Sequence, residues 1–233
     1  MSKRLRYLGS VVIFLCASSA FGQYQMELTG TGDNVPYDNV YVSPYNGKIL
    51  LNGQIAWSGL VICDDFETES SLNQLWNVTA TKADDLNGTE KFAGTTYDGY
   101  DTQDEYNAVA WLANLLLLGT DQSKQPNVST ATDQIYISFA IWDIFDHAAP
   151  DPGSQTDALI TRAFAAVRNG PVYTNVDVFT PNPKTASQEF LVVNGPPIPT
   201  PEPSEAGLLG VDLLCAVGVI FLVRRRQARS SEQ

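Results

Sequence analysis

A lone cysteine, a glutamine on a helix and a single histidine are the side chains of this chain whose types could do chemistry beyond that of its many acids. Cysteines stand at positions 16, 63 and 215 of 233 residues. The outer two fall in apolar terminal segments, so Cys63 is alone between them and has no partner for an internal disulfide. It follows Leu60-Val61-Ile62, where a lone thiol is a packed apolar side chain, a link to another molecule or a nucleophile, and packing is the commonest. His147 follows Asp143 and Asp146, and a Cys63/His147 pair or a Ser-His-Asp set can be drawn from them. A single histidine at the polar end of a helix is more often a cap or faces solvent. One His and one Cys do not make a zinc site. Asp98, Asp101, Asp104 and Glu105 cluster around Gly99, but their spacing fails the calcium-loop pattern and reads as a solvated acidic loop. Trp57, Trp76, Tyr37, Tyr41, Tyr45, Tyr97 and Tyr100 would stack on sugars if exposed, and otherwise pack in strands and loops.

These residues must be positioned by strands and helices that the local pattern makes visible. From residue 23 to about 78, short apolar runs such as Ile49-Leu50-Leu51 and Leu60-Val61-Ile62-Cys63 lie between the turn pairs Asn46-Gly47 and Asn52-Gly53, which predicts a small antiparallel sheet. Residues 84–101, rich in Gly, Asp, Thr and Asn, read as loop. Three helices are expected next. The first opens with the capping-box spacing Thr102-x-x-Glu105 and ends at Gly119. The second, about 132–146, is apolar on most sides through Ile135, Tyr136, Phe139, Ala140, Trp142 and Ile144, the pattern of a central helix. The third, about 156–169, carries Leu159, Phe164 and Val167 and stops at Gly170-Pro171. Runs at 172–179 and 189–193 read as closing strands. Strands, helices, then strands is an α+β order, with antiparallel strands packed on about three central helices and no internal repeat.

The two ends have a different character. Lys3, Arg4 and Arg6 precede an apolar run over 7–17, and Ala20-Phe21-Gly22 has the small residues of a secretory cleavage site, so residues 1–22 read as a signal peptide. Residues 196–205 form a Pro-rich linker. Residues 206–223 are apolar except for Asp212, just long enough for a membrane helix, and Arg224-Arg225-Arg226 should hold the tail at 224–233 in the cytoplasm. The ectodomain, 23–195, is then one domain. Between residues 23 and 199 there are 22 Asp/Glu against 7 Lys/Arg, or −15, within a chain of net charge −12. Such a surface repels phosphate backbones, which argues against nucleic acid as a partner. Hydrophobic residues make up 44% and charged residues 17%, a balance that excludes a disordered chain.

Pro201-Glu202-Pro203, the apolar span and Arg224, Arg225 and Arg226 together resemble the C-terminal sorting segment of PEP-CTERM proteins. That resemblance implies export from a Gram-negative, exopolysaccharide-forming bacterium and processing by an exosortase. The stretches Val61-Ile62-Cys63-Asp64-Asp65-Phe66 and Phe139-Ala140-Ile141-Trp142-Asp143 resemble the thioester domains of bacterial surface adhesins. In that family the Cys is joined to a Gln two residues before Ala-Ile-Trp, and the bond captures an amine with thiolate leaving. Ser138 occupies that Gln position here. Gln134 lies one turn earlier on the same helix face, about 6 Å along the axis.

The expectation is therefore an exported, non-catalytic surface or extracellular-matrix protein with an adhesive or structural role, in contact with exopolysaccharide or surface proteins and needing neither cofactor nor metal. Two alternatives stand beside it: a covalent adhesin with a Cys63–Gln134 thioester, and an extracellular hydrolase using a carboxylate pair.

Overall fold

A computed structural model describes residues 23–118, 130–146, 149–150, 152–169 and 173–198. The expected signal peptide, membrane span, sorting residues 201–203 and 224–226, and His147 lie outside them. Among the described residues no helix is long and apolar enough to cross a membrane.

The described residues form eight strands and three helices in the order β1 (Tyr24–Gly30), β2 (Pro36–Tyr37), β3 (Val40–Tyr41), β4 (Tyr45–Leu51), β5 (Gln54–Cys63), β6 (Leu75–Lys82), α1 (Thr102–Leu118), α2 (Ala131–Phe145), α3 (Ser154–Asn169), β7 (Val176–Pro181) and β8 (Phe190–Val193). Six of the strands close an antiparallel barrel in the order β1-β4-β5-β8-β7-β6, and β2 and β3 form a small separate hairpin. The α+β expectation holds, with the sheet closed on itself.

Alternation builds the barrel. Tyr24, Met26 and Leu28 of β1 turn inward with Ile49, Val61, Cys63, Trp76, Val78, Phe179, Phe190 and Val192. Every residue of β7 and β8 is buried, because these strands are covered on both faces. Phe179, Phe190 and Val192 fill the barrel, while Val178, Leu191 and Val193 pack outward on the helices. Such strands read as continuous apolar runs rather than alternating ones.

The helices form the second layer. The middle of α2 has Ile137, Phe139, Ala140, Ile141, Trp142 and Ile144 all buried, as a central helix requires. Its N-terminus is a capping box. Thr130 accepts from the Asp133 N–H, and the Asp133 carboxylate accepts from the Thr130 N–H.

Two local expectations are corrected. Asn46-Gly47 is no turn: both residues sit inside β4, opposite Leu60 and Gly59. The hairpin turn is Asn52-Gly53, where both residues take positive φ, 53° and 76°. The α1 cap lies one residue before the predicted box. Asp101 accepts the Asp104 N–H at 3.0 Å, and the Glu105 carboxylate accepts from the Thr95 hydroxyl.

Candidate functional site

Cys63 ends β5, where pleating turns it into the barrel and Ile62 toward the helices. Its side chain is 0% exposed. The S–H donates to the Asp65 carbonyl oxygen at 3.1 Å, and the Asp65 N–H returns to the sulfur at 3.4 Å. Burial first, then the Asp65 and Asp64 carboxylates, push the thiol pKa well above its ordinary value. The sulfur is thus a protonated thiol near neutrality, with little nucleophilic character.

The backbone around Cys63 joins strand, loop and helix. The Cys63 N–H donates to Ser43 Oγ at 3.0 Å, the Ser43 N–H donates to Ser138 Oγ at 3.1 Å, and Trp142 Nε1–H donates to the Cys63 carbonyl at 3.0 Å. Ser138 and Trp142 are four residues apart on α2, so one helix face makes both ends of the link. Aromatic rings surround it. Phe139 and Phe66 meet the Trp142 ring at 4.9 and 5.3 Å, and Tyr37 of the β2–β3 hairpin stands edge-on to Phe139 at 5.3 Å.

Gln134, one turn before Ser138, is buried, and its amide nitrogen donates to Asp33 Oδ2 at 2.7 Å. Its carbonyl oxygen is buried with no hydrogen-bond partner among the described residues. Ser138 therefore comes to Cys63 through Ser43, while the carboxamide of Gln134 is directed to the loop after β1.

Beside the thiol lies a buried polar cluster that the sequence analysis did not single out. The Glu189 carboxylate accepts from the Lys91 N–H at 2.8 Å and from the hydroxyls of Tyr106 and Thr180. Asp64 meets the same carboxylate, and its oxygens have no other partner among the described residues. Burial, then Glu189 and Asp65, raise the Asp64 pKa well above the carboxylate range. Burial raises the Glu189 pKa as well, against the hydrogen bonds from Thr180 and Tyr106 that lower it, so two neighbouring carboxyls in an apolar interior favour keeping a proton between them. Lys91 pairs with Asp65 and also reaches Thr68. The signal for this cluster in the sequence is slight: an acid abutting each of the apolar runs 60–63 and 190–193.

The other candidates scatter. Among the described residues no group of His, Cys, Asp and Glu could hold a metal ion. Glu105 is buried, and Asp101 serves as a helix cap. Trp76 and Tyr45 are buried in the barrel, whereas Tyr37 and Tyr41 are exposed.

No family model and no curated protein matches the sequence. Solved structures similar to this chain include the N-terminal domain of the Streptococcus pyogenes pilus tip adhesin Cpa, at 14% identity and a TM-score of 0.42, covering 78% of this chain and 97% of that one. Another is the N-terminal thioester domain of a surface protein from Clostridium perfringens, at 14% identity and a TM-score of 0.45, covering 75% and 99%. A third is the N-terminal thioester domain of fibronectin-binding protein SfbI from Streptococcus pyogenes, at 10% identity and a TM-score of 0.41, covering 75% and 94%.

Arranged in this way, the side chains around Cys63 can hold elements together. A buried thiol whose pKa is raised, held by the Asp65 backbone and the Trp142 side chain next to a serine pair, is not an activated nucleophile.

Proposed function

We propose that this chain is an exported surface or extracellular-matrix protein with an adhesive or structural role and no catalytic activity. In this reading the Pro-Glu-Pro tail directs exosortase processing, and partners are exopolysaccharide or other surface proteins. The observation that carries the non-covalent part is the link Cys63–Ser43–Ser138. Where the thioester domains that the motifs resemble join Cys to Gln, serine hydroxyls here accept two buried N–H groups and bind the strand to the helix without a covalent bond.

A second reading rests on Gln134, whose buried, unpartnered carbonyl lies on the same helix face as Ser138. Joined to Cys63, it would form a thioester with loss of ammonia from the carboxamide, and an amine would later open it with thiolate leaving. Intact mass separates the two. Non-covalent function requires the full sequence mass. A protein lighter by one ammonia, restored to full mass by Gln134→Ala, establishes the covalent adhesin. The sorting part is tested in native cells, where mature protein should lack peptides from residues 207–226. Their retention in full amount rejects processing.

A further inference from the structure

The loop before α1 and one face of α3 enclose an open cleft of about 440 Å³, remote in sequence from Cys63. The loop doubles back at Asp98-Gly99, both at positive φ, 47° and 84°, which sets Tyr97 and Tyr100 opposite each other. Both rings stack on Phe164 of α3, with centroids 5.3 and 4.0 Å away. Asp157, Ile160, Thr161, Phe164 and Arg168 line the facing side at helical spacing. Asp98 and Asp157 are exposed at the rim.

This wall of rings already carries a cation. The Arg168 guanidinium lies over the Tyr100 ring, 4.8 Å from its centroid. Aromatic faces attract cations through their quadrupole, and more strongly where carboxylates stand beside the ring. Around Tyr97 the carboxylates come from three elements, Asp98 of the loop, Asp143 of α2 and Asp157 of α3. With burial as the larger cause, they push the phenol up to about 12. The surrounding ectodomain, at −15 over residues 23–199, turns anions away and draws cations in.

We propose that the cleft between Tyr97, Tyr100 and α3 binds a cationic side chain of a partner, a lysine ammonium presented by a basic protein segment, with Asp98 and Asp157 pairing its charge. Arg168 is then a competitor in place, occupying part of the wall that the ligand needs. The assignment rests on the cleft alone and stands or falls apart from the adhesive reading and from the state of Cys63.

Calorimetric titration of the purified protein with an end-capped tri-lysine peptide tests it. Asp157→Asn should weaken binding about two- to five-fold, the size of one solvent-exposed charge pair. Arg168→Gln should tighten it several-fold by removing the competing charge. Both positions are exposed, so neither change disturbs the core. Glu67→Gln, an exposed acid outside the cleft lining, should leave it unchanged. No heat of binding up to about 10 mM peptide overturns the proposal. So does weaker binding by Arg168→Gln, which would mean an anion or sugar site. Equal loss in Glu67→Gln would mean a diffuse field instead of a site, and overturns it too.

Discussion

The junction at Cys63 and the cleft at Tyr97 use the same materials, aromatic rings and carboxylates against a central helical layer, to opposite ends. At the junction the polar groups turn inward: the Asp64 carboxyl is buried beside Glu189, Ser43 and Ser138 take backbone N–H groups, and the thiol donates to the Asp65 carbonyl. In the cleft the carboxylates of Asp98 and Asp157 stay in water, and the rings leave an open volume. Burial converts polar groups into fasteners, since an unpaired one inside is costly. Exposure leaves them free to meet a partner. The residue type most suited to chemistry, the cysteine, is thus at the place least accessible to a substrate.

Substitutions that measure stability should separate the regions sharply. The largest effect is expected from Trp142→Ala, which empties a 2% exposed site and removes the donor to the Cys63 carbonyl. Thermal or denaturant unfolding should show a loss of about 3 to 5 kcal/mol. An unchanged melting temperature would place α2 outside the core and undo the junction.

A pH profile sharpens the contrast next. Asp64 keeps its proton in the folded chain but loses it in the unfolded chain above about pH 4, so the folded state binds the extra proton. Stability should therefore fall as pH rises from the unfolded value toward the raised folded one, by up to about 1.4 kcal/mol per unit. Asp64→Asn can still donate to Glu189 and carries no proton to lose, and it should flatten this slope. An equally steep profile in Asp64→Asn would assign it to another group.

Ser43→Ala leaves the buried Cys63 N–H without its acceptor, and Ser138→Ala does the same to the Ser43 N–H. Each should cost about 1 to 3 kcal/mol in denaturant unfolding. The smallest effects belong to the cleft. Asp157→Asn and Arg168→Gln should each stay within about 0.5 kcal/mol of the parent. Losses there as large as at the serines would make the cleft a structural element and erase the comparison.

The helices were legible in the sequence because their signals are local. Apolar residues on most sides of α2 announce a central helix, and its expected bounds, about 132–146, lie within a residue of Ala131–Phe145. Closure of the barrel was not legible. It depends on β5 meeting β8 and β6 meeting β7, with Cys63 opposite Phe190 and Thr81 opposite Val178, pairings across about a hundred residues that no local pattern encodes. Asn46-Gly47 misled because a turn dipeptide can also sit in a strand where a glycine is needed. A Cβ at Gly47 would lie 2.8 Å from the Val61 side chain. Of the site, Cys63 is legible from residue type, and the position of Ser138 on α2 only from the resemblance of its motif to thioester domains. Ser43, Tyr106, Lys91 and Glu189 are not, since each comes from a different stretch and only the fold assembles them.

Complete burial makes Cys63 a sealed thiol. The most direct test of the seal is the rate at which a thiol reagent modifies the protein, native and then denatured. Native labelling should be no faster than unfolding, with one mole of thiol per mole of mature domain as soon as the chain is denatured. Rapid labelling of the native protein would contradict the seal. A denatured protein that titrates no thiol until an amine is added would contradict the free cysteine and put a covalent bond in its place.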